Sequence, residues 1–168
     1  MFKKVLLAAI LGLCMNISYA QRIAIVDVNQ ILAEMEDYKA AQKELDAIAA
    51  EWRQEISKEQ DKVKSLYNKY QAEQVLLTDE IKKQREDEIV AKEAEVRDIN
   101  KRRFGPEGDL FKRRQQLVAP VQDKVFAAIE AYAAERGFDL IFDKAGSAGL
   151  LFVKPEFDKT EDIKKKIK

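Results

Sequence analysis

LDAIAAEWRQEISKEQDKVKSLYNKYQAEQVLLTDEIKKQREDEIVAKEAEVRDINKRRF, residues 45–104, decides the fold. It contains neither glycine nor proline, and the wider interval from Gln21 to Phe104 is equally free of both. Leu45, Ile48, Trp52, Ile56, Val63, Leu66, Tyr70, Leu77 and Ile81 step mostly by threes, fours and sevens, with Glu, Lys and Gln on the other faces. That spacing predicts helix with a narrow apolar seam of coiled-coil type. Glu59 and Gln74 stand where the seam wants apolar groups, which suits an arm that bends rather than a rigid rod. A compact domain has nowhere to put helices of this length, so they are expected to project from a small body.

The arm must turn back. Thr78 can cap a new helix, with Asp79 and Glu80 in its first turn where negative charge suits the helix dipole. A tip around residues 76–84 follows, and an arm of about 45 residues reaches roughly 65 Å. Phe104-Gly105-Pro106-Glu107-Gly108 breaks or kinks the returning arm, with glycine closing one helix and proline suited to starting the next. Pro120, within LVAPVQDKV, is expected to bend the chain where the arm rejoins the body.

Short β-prone segments flank the arm. Arg22-Ile23-Ala24-Ile25-Val26-Asp27 reads as a strand, and Asn29 as the N-cap of a helix opening with Ile31 and Leu32. Met35-Glu36-Asp37 lets that helix continue into the arm. On the return side, Val121, Val125, Ile129 and Tyr132 mark an amphipathic helix that Gly137 ends. Residues 138–143 read as a strand, KAGSAG as its turn, and Leu150-Leu151-Phe152-Val153 as the partner strand. Thr160 can cap a last short helix with Ile163 and Ile167 on one face. The class is therefore α+β: a small β body of three short strands (residues 21–35 and 120–168) from which a helical hairpin (36–119) projects, all one folding unit. Three strands leave open edges and bare apolar faces, which pairing with further copies of the chain would cover. Ile23, Ile25, Leu140, Phe142, Leu151 and Val153 are expected in the core or the subunit interface.

The first twenty residues have the pattern of a secretory signal. Lys3 and Lys4 precede the apolar run VLLAAILGL, and Ser18-Tyr19-Ala20 offers small residues where signal peptidase reads them. The apolar run is short for a membrane span of about 20 residues. Cys14 invites a lipoprotein reading, but Leu13 stands where that processing wants a small side chain. Cleavage after Ala20 would leave an exported chain of net charge 28 − 30 = −2, because Lys3 and Lys4 are two of the 30 basic residues and none of the 30 acidic ones lies in the signal. It would also remove the only cysteine, and the chain has no histidine. A disulfide, a Cys/His zinc site and a histidine base are thus excluded from the mature part. Near-neutral charge argues against a nucleic-acid partner.

The ordered ensemble of signal peptide, IAIVDVNQIL, charged helical arms, LVAPVQDKV, AIEAYAAERGFDLIFD and a final small helix resembles the OmpH family, the Skp-like periplasmic chaperones, in the form of its Bacteroidetes-type members. The resemblance covers essentially the whole mature chain and is strongest over residues 23–32 and 120–143. It implies a homotrimer whose strands form a small barrel-like body, with hairpins enclosing a cavity. It also implies an ATP-independent holdase that keeps unfolded outer-membrane β-barrel proteins from aggregating until they reach the membrane. No phosphate-binding GxxxxGK[ST] occurs, and no cofactor is expected. Two features depart from the family pattern. Skp-type arms are known for basic ends, whereas residues 73–95 carry eight acidic and four basic side chains. Many relatives also carry proline just after the position of Met35.

Within the arms, Trp52, Tyr67, Phe104 and Phe111 are the client-contact candidates. Trp52 also falls on the seam, and Phe104 and Phe111 also flank the break, where clamping it is the alternative. Arg97, Lys101, Arg102, Arg103, Lys112, Arg113 and Arg114 form a basic group around Gly105-Pro106. It could meet acidic client segments or lipopolysaccharide, or be a solvated face with intrahelical ion pairs; nothing in the sequence itself supports lipid contact. Two rival classes remain: a structural coiled-coil adaptor docking a fixed envelope partner, against which the irregular seam speaks, and an enzyme. An active site would have to come from Asp27, Asp139, Asp143 and Lys144, but those acids bracket strands, where caps and turns belong.

Overall fold

The computed structural model describes residues 21–146 and 150–167. The expected signal segment, Cys14 and the last three residues of the KAGSAG turn lie outside the described residues. Strand β1 (Ile23–Val26) leads into helix α1 (Val28–Glu34), followed by the long helix α2 (Glu36–Glu73). The return runs through α3 (Asp79–Phe104) and α4 (Asp109–Arg136) to strand β2 (Leu140–Asp143). A short 3-10 turn, Pro155–Phe157, precedes the last helix, α5 (Thr160–Ile167). At 38 residues, α2 extends about 57 Å, so the hairpin dwarfs the body that carries it.

The body is held together from both ends of the chain. β1 and β2 pair in parallel, Ile23 opposite Leu140 through Val26 opposite Asp143. Parallel neighbours need a crossover, and here the crossover is the entire hairpin. The core collects Val26, Val28, Ile31, Leu32, Val121, Val125, Tyr132 and Ile163 from β1, α1, α4 and α5. Strand alternation decides the rest: Ile141 packs against that core, whereas Leu140 and Phe142 point away and are exposed.

A polar knot ties β1, β2 and α5 beneath this core. Asp27 caps α1 by accepting from Gln30 N (2.8 Å), and its own N–H donates to Thr160 Oγ1 (3.0 Å). Thr160 donates to Asp158 Oδ1 (2.6 Å), while Lys144 Nζ lies 2.9 Å from Asp158 Oδ2 and 3.8 Å from Asp27 Oδ2. Burial pushes the Asp158 carboxyl up, but hydrogen bonds from Lys144 and Thr160 outweigh it and bring its pKa down to about 2. Asp143 Oδ1 accepts from Val28 N (3.1 Å) and Ala145 N (3.0 Å), and Asp139 Oδ2 accepts from Arg22 N (2.7 Å). The acids and lysine weighed as catalytic groups are thus engaged in capping, turn and ion-pair contacts.

Four local expectations are corrected. The cap of α1 is Asp27, two residues before Asn29, because its side chain reaches the free N–H of Gln30. The helix does not continue through Met35: that residue is extended (φ −75°, ψ 129°), and its N–H closes α1 on Leu32 O. The break turns α1 onto the body, where Ile31 and Leu32 are buried and Met35 packs against the core, and the ion pairs Glu34–Lys164 and Asp37–Lys124 (2.6 Å) flank it. Residues 150–153 form no strand. The segment leaves the free edge of β2 and lies instead beside Ile23, Ile25 and Phe157, where the second edge of β1 is already taken by a bridge between Ile25 and Asp158 and the bond from Lys159 N to Ile25 O (2.8 Å). Pro106 starts no helix; it sits in the turn before Gly108, which is the cap of α4.

Other sequence signals act as read. Thr78 caps α3 with its side chain, and Gly137 ends α4 in the left-handed region (φ 65°). Pro120, read as a bend, lies inside the continuous helix α4. Of the six residues expected in core or interface, Ile25 is buried, Ile23 and Val153 are half-buried, and Leu140, Phe142 and Leu151 are exposed. Leu151 is 98% and Phe152 77% exposed, an unusual position for such side chains in a single subunit.

Candidate functional site

The hairpin is tightly packed near the body and thins toward its tip. Ala41 and Leu45 of α2 meet Val118 of α4, with Tyr38, Leu110 and Leu117 around them. Small residues at 41 and 49 let the helices approach closely. Farther out, Ile56, Ile89 and Val96 are still buried, but beyond Ile56 no residue of α2 is. Val63, Leu66, Tyr70 and Leu77 are only half-covered, as two helices side by side allow.

Charge enters the seam where the sequence placed Glu59. Lys92 of α3 crosses to Glu59 Oε2 (2.8 Å), and Lys62 holds Oε1 (2.7 Å). Hydrogen bonds from Lys62 and Lys92 lower the Glu59 pKa, and Glu59 and Glu95 raise that of Lys92. Tyr70 donates to Glu86 across the hairpin, which raises the phenol's pKa. The distal arm is therefore stitched by polar contacts, which exchange with water more readily than a packed core does.

The Gly-Pro break is clamped. Trp52 meets Phe104 edge-on, with ring centroids 6.2 Å apart and planes at 79°. The Arg103 guanidinium lies 4.5 Å from the Trp52 ring centroid and bonds Glu55 (3.3 Å) and Asp109 (2.9 Å). The two glycines are sterically required. A Cβ on Gly105 would stand 2.4 Å from Lys101 O, and one on Gly108 2.7 Å from Arg102 O. Beside the break lies a groove of about 660 Å³ that includes Lys101, Arg102, Pro106 and Lys112 in its walls.

The candidate residues separate accordingly. Trp52 and Phe104 are half-buried in the clamp, whereas Tyr67 and Phe111 stand exposed. In the basic group, Arg103 is committed to the clamp, Arg113 bonds Glu44 of α2 (2.5 Å) and Arg97 lies 3.7 Å from Glu93. Lys101, Arg102, Lys112 and Arg114 are exposed and take part in no ion pair among the described residues. Sequence reasoning missed Val75 and Leu76, each 84% exposed at the tip, and also Ile81, Val90 and Phe126. The triplet Val75-Leu76-Leu77 was the available signal: three consecutive apolar residues cannot all face a helical seam. Among the described residues no group of His, Cys, Asp or Glu could hold a metal ion, and no helix is long and apolar enough to cross a membrane.

Comparison with known proteins places this architecture. The family model for outer membrane protein (OmpH-like) matches residues 22–167. The chain belongs to the OmpH-like family. A crystal structure of a candidate OmpH-like outer membrane chaperone from Caulobacter crescentus superposes on it with a TM-score of 0.67 at 13% sequence identity, covering 88% of this chain and 84% of that one. At that identity the likeness shows a shared fold. No curated protein matches the chain. In this OmpH-like protein the exposed apolar side chains fall in two places: scattered along the arm, as at Tyr67, Val90 and Phe111, and gathered on the body at Leu140, Phe142, Leu150, Leu151, Phe152 and Phe157.

Proposed function

We propose that this OmpH-like protein is a periplasmic, ATP-independent holdase for unfolded outer-membrane β-barrel proteins. The observation that carries the reading is the arm surface: Tyr67, Val90 and Phe111 stand exposed along a hairpin tens of ångströms long, with Phe126 exposed where α4 enters the body. A client barrel strand is apolar on alternate residues and aggregates through unpaired edges in water. Many weak, separated apolar contacts hold such a chain without requiring a sequence, and release it without chemistry. Clamped inside the arm, Trp52 and Phe104 serve the break, so the client-contact proposal rests on Tyr67 and Phe111 together with Val90 and Phe126.

Enclosure requires several arms, and the body supports their assembly. β2 has an unpaired outer edge with Leu140 and Phe142 exposed on it, and Leu150, Leu151, Phe152 and Phe157 are bare nearby. In this reading copies of the same chain cover them, as the homotrimer that the family resemblance implies.

Native mass spectrometry of the protein without residues 1–20, mixed with a urea-diluted outer-membrane β-barrel, tests the reading. A trimer carrying one unfolded client is the expected species. An empty trimer beside precipitated client overturns the holdase and favours an adaptor that docks a fixed partner.

A further inference from the structure

The exposed apolar side chains of the arm are not spread evenly around it. Tyr67, Val90 and Phe111 each stand one place after a residue that faces the neighbouring helix. Those residues are half-buried Leu66, buried Ile89, and Leu110, which packs against the cluster of Ala41, Leu45 and Val118. One step along a helix turns a side chain by about 100°, always in the same sense. Two antiparallel helices are related by a twofold axis perpendicular to the plane that contains them. That axis keeps each broad face of the hairpin on its own side. The residue after a seam position therefore falls on one broad face in α2, α3 and α4 alike, and the residue before it on the other. Phe126, farther along α4 than Phe111, is only about 60° round from it. Before seam positions the chain places charge instead: Lys58, Lys62 and Lys69 precede Glu59, Val63 and Tyr70, and Glu88 and Glu95 precede Ile89 and Val96. Among the described residues of the arm helices, Ile81 at the tip is the one large exposed apolar side chain that precedes such a position, half-buried Lys82.

We infer that a client strand lies lengthwise along this one broad face of the arm, and that the opposite face stays in water. The inference rests on the holdase reading and gives it a side. Tyr67 and Val90 share a level, since both fall between the contact of Tyr70 with Glu86 and that of Glu59 with Lys92. Phe111 lies closer to the body, two positions from Arg113, which bonds Glu44. Phe126 lies at the base, two positions from Lys124, which bonds Asp37. From Asp37 to Tyr67 the helix α2 rises about 45 Å. A membrane strand of about 10 residues extends roughly 33 Å, so the row accommodates it end to end. Such a strand is apolar on alternate residues, so one of its sides needs cover and the other does not. A row confined to one face of the arm meets that need. Binding on the opposite face would strip water from Lys58, Lys62 and Lys69 with no apolar contact in return.

Photo-crosslinking from the two faces tests it. Residues 21–168 contain no cysteine, so a single introduced thiol takes a benzophenone maleimide at one place only. Gln71 follows Tyr70 and Lys69 precedes it, both exposed, so Gln71→Cys and Lys69→Cys carry the probe at one level on opposite faces. Each labelled chain, without residues 1–20, is mixed with a urea-diluted outer-membrane β-barrel and irradiated. The probe at position 71 is expected to give about ten times the client adduct of the probe at 69, a difference of about 1.4 kcal/mol in occupancy of the two faces. Equal yields, a greater yield at 69, or no adduct at either position while the client stays soluble each overturn the inference and leave the holdase reading standing. A client that precipitates beside the unaltered protein removes the holdase reading, and this inference with it. A second pair of variants reads the same question without a probe. Tyr67→Ser with Val90→Ser should raise the protein concentration needed to keep the client soluble, whereas Lys69→Ser with Glu88→Ser should leave it unchanged. An equal effect of the two pairs overturns the single-sided arm, and circular dichroism of each separates lost binding from lost helix.

Discussion

Asp158 ties several parts of the body together, holding Lys144, Thr160 and, through Thr160, the amide of Asp27. Its pKa falls from an ordinary 3.8 to about 2, so folding favours the ionised form. The stability this contributes is fully present above about pH 4 and is lost as pH falls through about 2. Asp158→Asn should cost at most about 2 kcal/mol at neutral pH and almost nothing near pH 2, read as urea midpoints at the two pH values. Trp52 makes a second prediction at this scale. If it clamps the break, Trp52→Ala should destabilise the arm by about 2 kcal/mol, while Phe111→Ser leaves stability within about 0.5 kcal/mol and weakens client capture. Thermal melts and client-aggregation assays separate the two. The sequence placed Trp52 on the seam, but it could not say that Phe104 and Arg103 would meet its ring, because those contacts join residues from two helices.

The elements were legible where a local signal set them and illegible where a distant one did. The Thr78 cap, the Gly137 stop and the break after Phe104 depend on neighbours within a turn, and the chain adopts them as read. Met35 has no local reason to leave the helix; the break turns α1 so that Ile31, Leu32 and Met35 reach the core. Residues 150–153 have strand composition but pair with neither β1 nor the free edge of β2 among the described residues, so composition alone misled. Two predictions belong here. Gly105→Ala forces a Cβ against Lys101 O, so hydrogen exchange should rise in the last turn of α3 and the first of α4, while the body amides keep their protection. Glu59→Leu together with Lys92→Leu turns the polar stitch into an apolar one. Replacing a paired charge by packing is commonly neutral or stabilising, so amides of the distal arm should exchange more slowly.

At the scale of the molecule, the parallel pairing of β1 with β2 has a consequence for how the chain comes together. Arg22 and Asp139, joined at the start of the sheet, are 117 positions apart. Closing so wide a loop by chance is slow, and parallel pairings are among the slowest contacts to form. The hairpin shortens the search, because α2 can zip against α3 and α4 through contacts formed outward from the turn at Thr78. Once zipped, it delivers Ala41 and Val118 to the same place, and only short tails remain for the two strands to find. The long arm thus works first as a splint for its own base: until it has closed, the sheet has no second strand within reach.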